Sequence, residues 1–204
     1  MQDNFTPDFD KHLPKEFFLQ DTVTVARQLI GKILVKKLTE SEYLAGKIVE
    51  TEAYLAKNDL ASHSAPGRTK RNAPMFDEGG ILYVYKIYGV HHCINFVTEG
   101  AGTGAAVLLR ALEPISGISN MLENRKCADV HNLCKGPGNV AKAFKFNIED
   151  NCRSLCTEDL FIRKSSDNCP PDIIVSKRIG ITRSATLPLR FYHSESDFVS
   201  RIKK

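Results

Sequence analysis

Short runs in which apolar and polar residues alternate set the expected architecture of this chain. Asp21 or Thr22 can cap a short helix through Val25 and Leu29, which Gly31 can stop. Lys32 to Leu38 alternates weakly and reads as a strand, and Tyr43 to Tyr54 reads as a longer one. On that longer strand a period of two puts Glu50, Glu52 and Tyr54 on one face and Val49, Thr51 and Ala53 on the other. Two carboxylates are poor core material, so their face is expected to border a cleft. Ile81 to Tyr85, Cys93 to Val97 and Ala106 to Leu112 predict further strands, with Gly100, Gly102 and Gly104 turning the chain between the last two. Ile115 to Arg125 and Pro137 to Phe146 predict helices. Leu160 to Arg163, Arg178 to Ile181 and Leu189 to Tyr192 predict short late strands.

Between these elements, residues 56–80 are dense in Asn, Asp, Ser, Pro and Gly and show no period. Loops of that length are usually functional or disordered, and the aromatic and basic residues flanking this one favour function. Residues 164–172 are polar and proline-bearing and predict a surface loop; residues 1–16 predict a loose tail. Strands in this order with helices inserted late predict an α+β fold, a single domain over 17–204, rather than a doubly wound sheet.

Composition narrows the class only a little. A hydrophobic share of 42% and a charged share of 25% are ordinary for a globular protein. The net charge of +4 permits a polyanionic partner without demanding one. Local clustering is more telling: Arg68, Lys70 and Arg71 crowd together beside the aromatic residues, a candidate grip on phosphate. No apolar run is long enough for a membrane span, and the N-terminus lacks the profile of a signal peptide, so a cytoplasmic protein is expected. The cysteines at 93, 127, 134, 152, 156 and 169 form no C-x-x-C pair and are expected as free thiols; Cys152 and Cys156 are the pair worth checking for oxidation.

The candidate chemistry gathers around Glu52. A carboxylate on a strand face beside a cleft can take a proton from water; most glutamates are instead surface ion-pair partners. Glu50, about 6.5–7 Å away between Cα atoms on an extended strand, fits an acid/base pair of the glycosidase kind or a simpler role holding a cation or amide. Asp59, His63, His91 and His92 raise a metal alternative, but their spacing fits no short metal signature, and no metal is expected. Tyr83, Tyr85 and Tyr88 could be core aromatics, yet Tyr88 precedes Gly89 at an expected turn, where an exposed ring can wedge into a base stack. Arg110, inside an apolar strand, reads either as a core-edge ion pair or as a guanidinium pointing into a cleft.

Eight segments then occur in one order: Leu29–Val35, Ile48–Tyr54, Ala61–Ser64, Arg71–Phe76, Tyr83–Gly89, Val107–Pro114, Lys135–Val140 and Pro188–Tyr192. In these the chain resembles the alkyladenine (methylpurine) DNA glycosylases over about residues 17–192. Val90, residues 149–154 and the loop after Arg163 fit that pattern less closely. The resemblance implies a compact domain around a curved antiparallel sheet. It implies a monofunctional, monomeric base-excision repair enzyme acting on double-stranded DNA without cofactor. That enzyme would remove 3-methyladenine and often hypoxanthine and ethenoadenine, leaving an abasic site; a non-catalytic damaged-DNA-binding module is the alternative. By motif, Glu52 resembles the base that activates water and Arg110 the residue that helps hold that water. Tyr54, His63 and Tyr85 resemble the walls of the base pocket, and Asn95 the residue that disfavours guanine. Tyr88 resembles the intercalating wedge, and the main chain near Leu160 a further contact to the water.

Overall fold

The computed structural model describes residues 5–165 and 171–200. The N-terminal stretch is less loose than expected. Phe9–Lys11 form a 3-10 turn, His12 bridges to Arg163, and Leu13 is buried with its amide on the Ile162 carbonyl. The short helix α1 (Lys15–Phe18) and helix α2 (Thr22–Gln28) follow, and Asp21 caps α2 by accepting the Thr24 amide.

The next strands are β1 (Ile33–Lys37), β2 (Tyr43–Tyr54), β3 (Leu82–Ile87), β4 (His91–Thr98) and β5 (Ala105–Ser116). Helices α3 (Ile118–Arg125) and α4 (Pro137–Ala143) come next. The chain closes with β6 (Cys156–Thr157), β7 (Leu160–Arg163), β8 (Ile173–Ser176) and β9 (Arg190–His193). Every pairing is antiparallel, in the order β3-β4-β5-β2-β1-β7-β6, with the β8–β9 hairpin joined to β2. The fold is α+β, one compact domain about a curled antiparallel sheet.

Strand β2 is the spine. One edge pairs with β5 throughout; the other pairs with β1 from Tyr43 to Lys47 and then with β9 from Glu50 to Glu52. Three irregularities interrupt the β2–β5 register, one between Ala45 and Gly46 and two that compensate each other further along. Pairing jumps from Ile48↔Leu112 to Glu50↔Ala111, leaving Val49 as an extra residue on β2. It then jumps to Thr51↔Leu109, leaving Arg110 as an extra residue on β5. Bulges of this kind bend a sheet and re-aim a side chain; here the bulged residue on β5 is the only cation in its run of apolar neighbours.

The predicted division of the β2 faces holds from Glu50 onward; before the bulge at Val49 the parity is reversed, Leu44 and Ile48 joining the large cluster and Ala45 a different one. Thr51 turns its hydroxyl to the Ala26 carbonyl of α2, and Ala53 joins the large cluster with Val25, Leu29, Phe96, Val140 and Phe144. Glu50, Glu52 and Tyr54 face the other way. On that second face Met75, Tyr83, Val97 and Ala106 form a smaller cluster with Phe76, Ile81 and Tyr85.

Three boundaries depart from expectation. Residues Ile115 and Ser116 stay in β5 because Gly117 must break the chain: its φ is +71°, and a Cβ there would lie 2.5 Å from the Tyr43 carbonyl oxygen. Helix α4 stops at Ala143, before Lys145, whose φ is positive. The strand expected at Arg178–Ile181 is a bend, because Arg178 leaves the sheet for a buried ion pair; Ile173–Ser176 is the strand instead. Part of the surface loop expected at 164–172 lies outside the described residues, as does Cys169. Among the described residues, no helix is long and apolar enough to cross a membrane, and Cys93, Cys127, Cys134, Cys152 and Cys156 are free.

Candidate active site

The site begins as a row across the sheet. Register pairs Tyr83 with Asn95, Asn95 with Leu108 and Leu108 with Glu52, so these residues of β3, β4, β5 and β2 stand side by side. Above the row lies a cavity of ≈ 350 Å³, at the small end of ligand pockets. Tyr54, His63, Tyr83, Tyr85, Asn95 and Arg110 line it, with Met75, Cys93, Leu108 and Ile179. A larger cavity of ≈ 660 Å³ lies at Arg27, Lys32, Lys47 and Lys164 and shares none of these residues. Among the described residues its lining carries no carboxylate.

Aromatic rings make the walls. The His63 ring lies 4.5 Å from that of Tyr85 between centroids, and its Nδ1 bonds the Tyr83 hydroxyl at 2.9 Å. Asn72 fixes the loop behind His63 by donating to the His63 and Gly67 carbonyls. Burial, aided by the Arg71 charge, lowers the His63 pKa, so the imidazole is neutral at neutral pH. Burial raises the Tyr54 and Tyr85 hydroxyls far above the ordinary phenol and pushes Tyr83 up to about 12. Asn95 donates to the Tyr83 carbonyl at 3.1 Å and is nearly buried in the floor.

Tyr88 stands at the rim. It takes φ +51° and Gly89 φ +69° at the tip of the β3–β4 hairpin, and its ring is 86% exposed. Tight hairpin turns demand two such left-handed residues, and this one holds a large ring out in solvent. Val90 beside it is also exposed.

Glu52 lies immediately behind the cavity wall, with no exposed surface of its own. Tyr54 donates its hydroxyl to Oε2 at 2.9 Å, the Ile179 amide donates to Oε1 at 2.8 Å, and Arg110 Nη1 lies 3.3 Å from Oε1. All three partners line the cavity. The proximity of Arg110 leads one to expect a depressed carboxyl. The reverse holds: burial raises the Glu52 pKa, and Arg110, the Ile179 amide and Tyr54 offset only part of that.

A clamp holds the Ile179 amide in place. Arg178 binds Asp59 through both Nη atoms at 2.7 and 2.6 Å, donates to the Ala53 carbonyl at 2.9 Å, and lies 4.5 Å from the Tyr54 ring centroid. Burial pushes Asp59 up, but the Arg178 hydrogen bonds and the Leu55 and Ala61 amides bring its pKa below the ordinary value.

Of the residues singled out in the sequence, Glu52, Arg110, Tyr54, His63, Tyr85, Asn95 and Tyr88 come together. Leu160 does not. It lies in β7, beyond β1 and β2 from the site, with its amide and carbonyl both within reach of Thr157 Oγ1. The main-chain group that reaches Glu52 is the Ile179 amide. Arg68 and Lys70 are exposed on the 56–80 loop, and Arg71 lies over the Tyr85 ring at 5.7 Å. The residues of the metal alternative disperse: Asp59 holds Arg178 and His63 holds Tyr83. Among the described residues, no three His, Cys, Asp or Glu side chains converge as a metal site. Asp59's true partner, Ile179, Arg190 and Ser200 were not visible beforehand; Arg190 alone lay inside a noted motif.

A curled antiparallel sheet, an aromatic cavity over a buried carboxylate and a protruding ring define a base-handling hydrolase. A family model, methylpurine-DNA glycosylase, matches residues 16–197. Relatives bearing the provisional name 3-methyladenine DNA glycosylase come from Chlorobium phaeobacteroides, Methanoculleus marisnigri and Francisella tularensis. The first is 47% identical over 92% of this chain and 94% of its own; the second 45% over 93% and 98%; the third 44% over 88% and 94%. The chain belongs to the methylpurine-DNA glycosylase family, DNA-repair enzymes that hydrolyse N-glycosyl bonds.

Proposed function

We propose that this enzyme flips an alkylated or deaminated purine, of the 3-methyladenine, hypoxanthine and ethenoadenine class, out of duplex DNA and hydrolyses its bond to the sugar. The observation that carries the reading is the Glu52 carboxylate, in contact with Arg110, directly behind an aromatic cavity whose rim bears the exposed Tyr88 ring.

Extruding a base costs a few kcal/mol, least for a damaged or poorly paired one. Tyr88 fills the gap and offsets part of that cost. The purine enters between Tyr54, His63 and Tyr85, whose electron-rich faces favour a cationic ring. A water then takes a place at Glu52 by displacing one of the present donors. Its oxygen attacks C1′ while the glycosidic electron pair leaves with the purine nitrogen and a proton passes to Glu52. For 3-methyladenine the departing pair neutralises the cationic base, so no acid is required. The lowered pKa of His63 leaves its ring neutral at neutral pH, so it has no imidazolium proton to give a neutral base. Asn95 in the floor would crowd the exocyclic amine of guanine. Arg68, Lys70 and Arg71 would hold the backbone.

The complete burial of Glu52 favours a second reading, a module that binds damaged DNA without cutting it. Incubating the protein with duplexes carrying 3-methyladenine, hypoxanthine or ethenoadenine, with and without a chelator, separates the two. Release of free base and an alkali-labile site, insensitive to chelator, is expected. Tight binding without release would support the module, and loss of activity with chelator would point to a metal.

A further inference from the structure

Glu50 is fully buried and is not among the residues that line the cavity. Among the described residues, its hydrogen-bond partners are all donors. Its Oε1 accepts from Arg110 Nε at 3.0 Å and from Arg190 Nε at 2.6 Å. Its Oε2 accepts the Ser200 amide at 2.7 Å and the Ser200 hydroxyl at 2.6 Å. Arg190 reaches on to the Ser200 carbonyl at 3.0 Å and the Ser176 hydroxyl at 3.2 Å. Glu50 is thus placed to hold one edge of the Arg110 fork while the same guanidinium points Nη1 at Glu52. A planar fork pinned at Nε has little freedom left at its other nitrogens.

We infer that Glu50, itself held by Arg190 and Ser200, is a positioning residue that orients Arg110 on Glu52 and sets the proton affinity of Glu52. This rests on the reading of Glu52 as the base that activates water. It discards the paired-acid role for Glu50: of its partners only Arg110 lines the cavity, whereas all three partners of Glu52 do. The buried charges of Glu50 and Glu52 balance those of Arg110 and Arg190. Glu52 also faces Tyr54 from β2, Cys93 from β4, and the mutually neutralised Asp59–Arg178 pair beyond Tyr54. Neutralising Glu50 leaves one positive charge in excess and lowers the proton affinity of Glu52. Removing the Ser200 hydroxyl has the opposite sign: it takes a 2.6 Å hydrogen bond from Glu50 and only a long one, 3.4 Å, from Arg110 Nη2, so Glu50 draws more on Arg110 and leaves Glu52 less compensated.

The test follows the Glu52 carboxyl carbon by NMR titration in the native chain, Glu50→Gln and Ser200→Ala, alongside pH profiles of base release. In Glu50→Gln the Glu52 titration is expected to move down by about one pH unit, a tenfold change in proton affinity, and the acid limb of the profile with it. In Ser200→Ala both move up, by less. A Glu52 titration unmoved in both variants overturns the inference, as does movement of both in one direction. If Glu50→Gln fails to fold, the sign of the Ser200→Ala shift decides. Shifted titrations in a native protein that releases no base would sink the water-activating role of Glu52 and leave the positioning claim standing. Base release with unmoved titrations would do the reverse.

Discussion

Glu52 works against its surroundings. Burial favours its neutral form, yet a base must be ionised, so the acid limb of base release should lie above the ordinary glutamate pKa of 4.5. A profile flat down to that value would contradict the assignment. The same conflict bears on stability. A carboxyl whose folded pKa is raised stabilises the fold below the unfolded pKa and loses that contribution as pH rises through the folded value. Replacing Glu52 with Gln should therefore help most at neutral pH, raising the melting temperature by a few degrees there, with the gain shrinking as pH falls through the raised folded value and gone below about 4.5. A scan of native and Glu52→Gln protein across pH reads the sign. Tyr88 gives a separate expectation. Its side chain stands largely in solvent, so Tyr88→Ser should leave the melting temperature unchanged while weakening binding to lesion-bearing duplex about tenfold or more, by titration of a labelled duplex.

At the scale of elements, the bend that follows β8 depends on one buried pair. Removing Asp59 strands the Arg178 guanidinium, which is fully buried. Losing one partner of a buried pair costs about 3–5 kcal/mol, so Asp59→Ala should lower the urea midpoint sharply and slow base release through a misplaced Ile179 amide. The depressed Asp59 pKa adds a pH signature: the stability the pair provides is present above the ordinary aspartate value of 3.8 and lost as pH falls through the folded value. Two strands, Tyr43–Tyr54 and Leu160–Arg163, are found with the ends the sequence predicts, although neither alternates cleanly in burial and all four residues of the second are buried. The bend was not legible because Arg178 answers to Asp59, well over a hundred residues away, and periodicity carries no long-range pairing. The same holds for Ser200, whose role exists only once Glu50 and Arg190 have been brought beneath it. The aromatic half of the site was legible because strand alternation alone puts Tyr83 and Tyr85 on one face. The bulge that aims Arg110 was not, since a residue unpaired on β5 follows from pairing with β2.

For the whole molecule, the sheet curls so that the cavity, the 56–80 loop and the Tyr88 hairpin open on one side, with basic residues at the rim. The net charge of +4 is too small to bind DNA by itself, so those local cations should carry the backbone contacts. Arg68→Ala should weaken binding to damaged and undamaged duplex alike and lessen the slope of log affinity against log salt by about 1. We expect a single copy of the chain to suffice for these contacts. The most direct measurement compares native protein and Glu52→Gln on one hypoxanthine-bearing duplex, reading base release and affinity together. The account predicts that release disappears while affinity stays within a few-fold of native. Release at the native rate by the variant would contradict it.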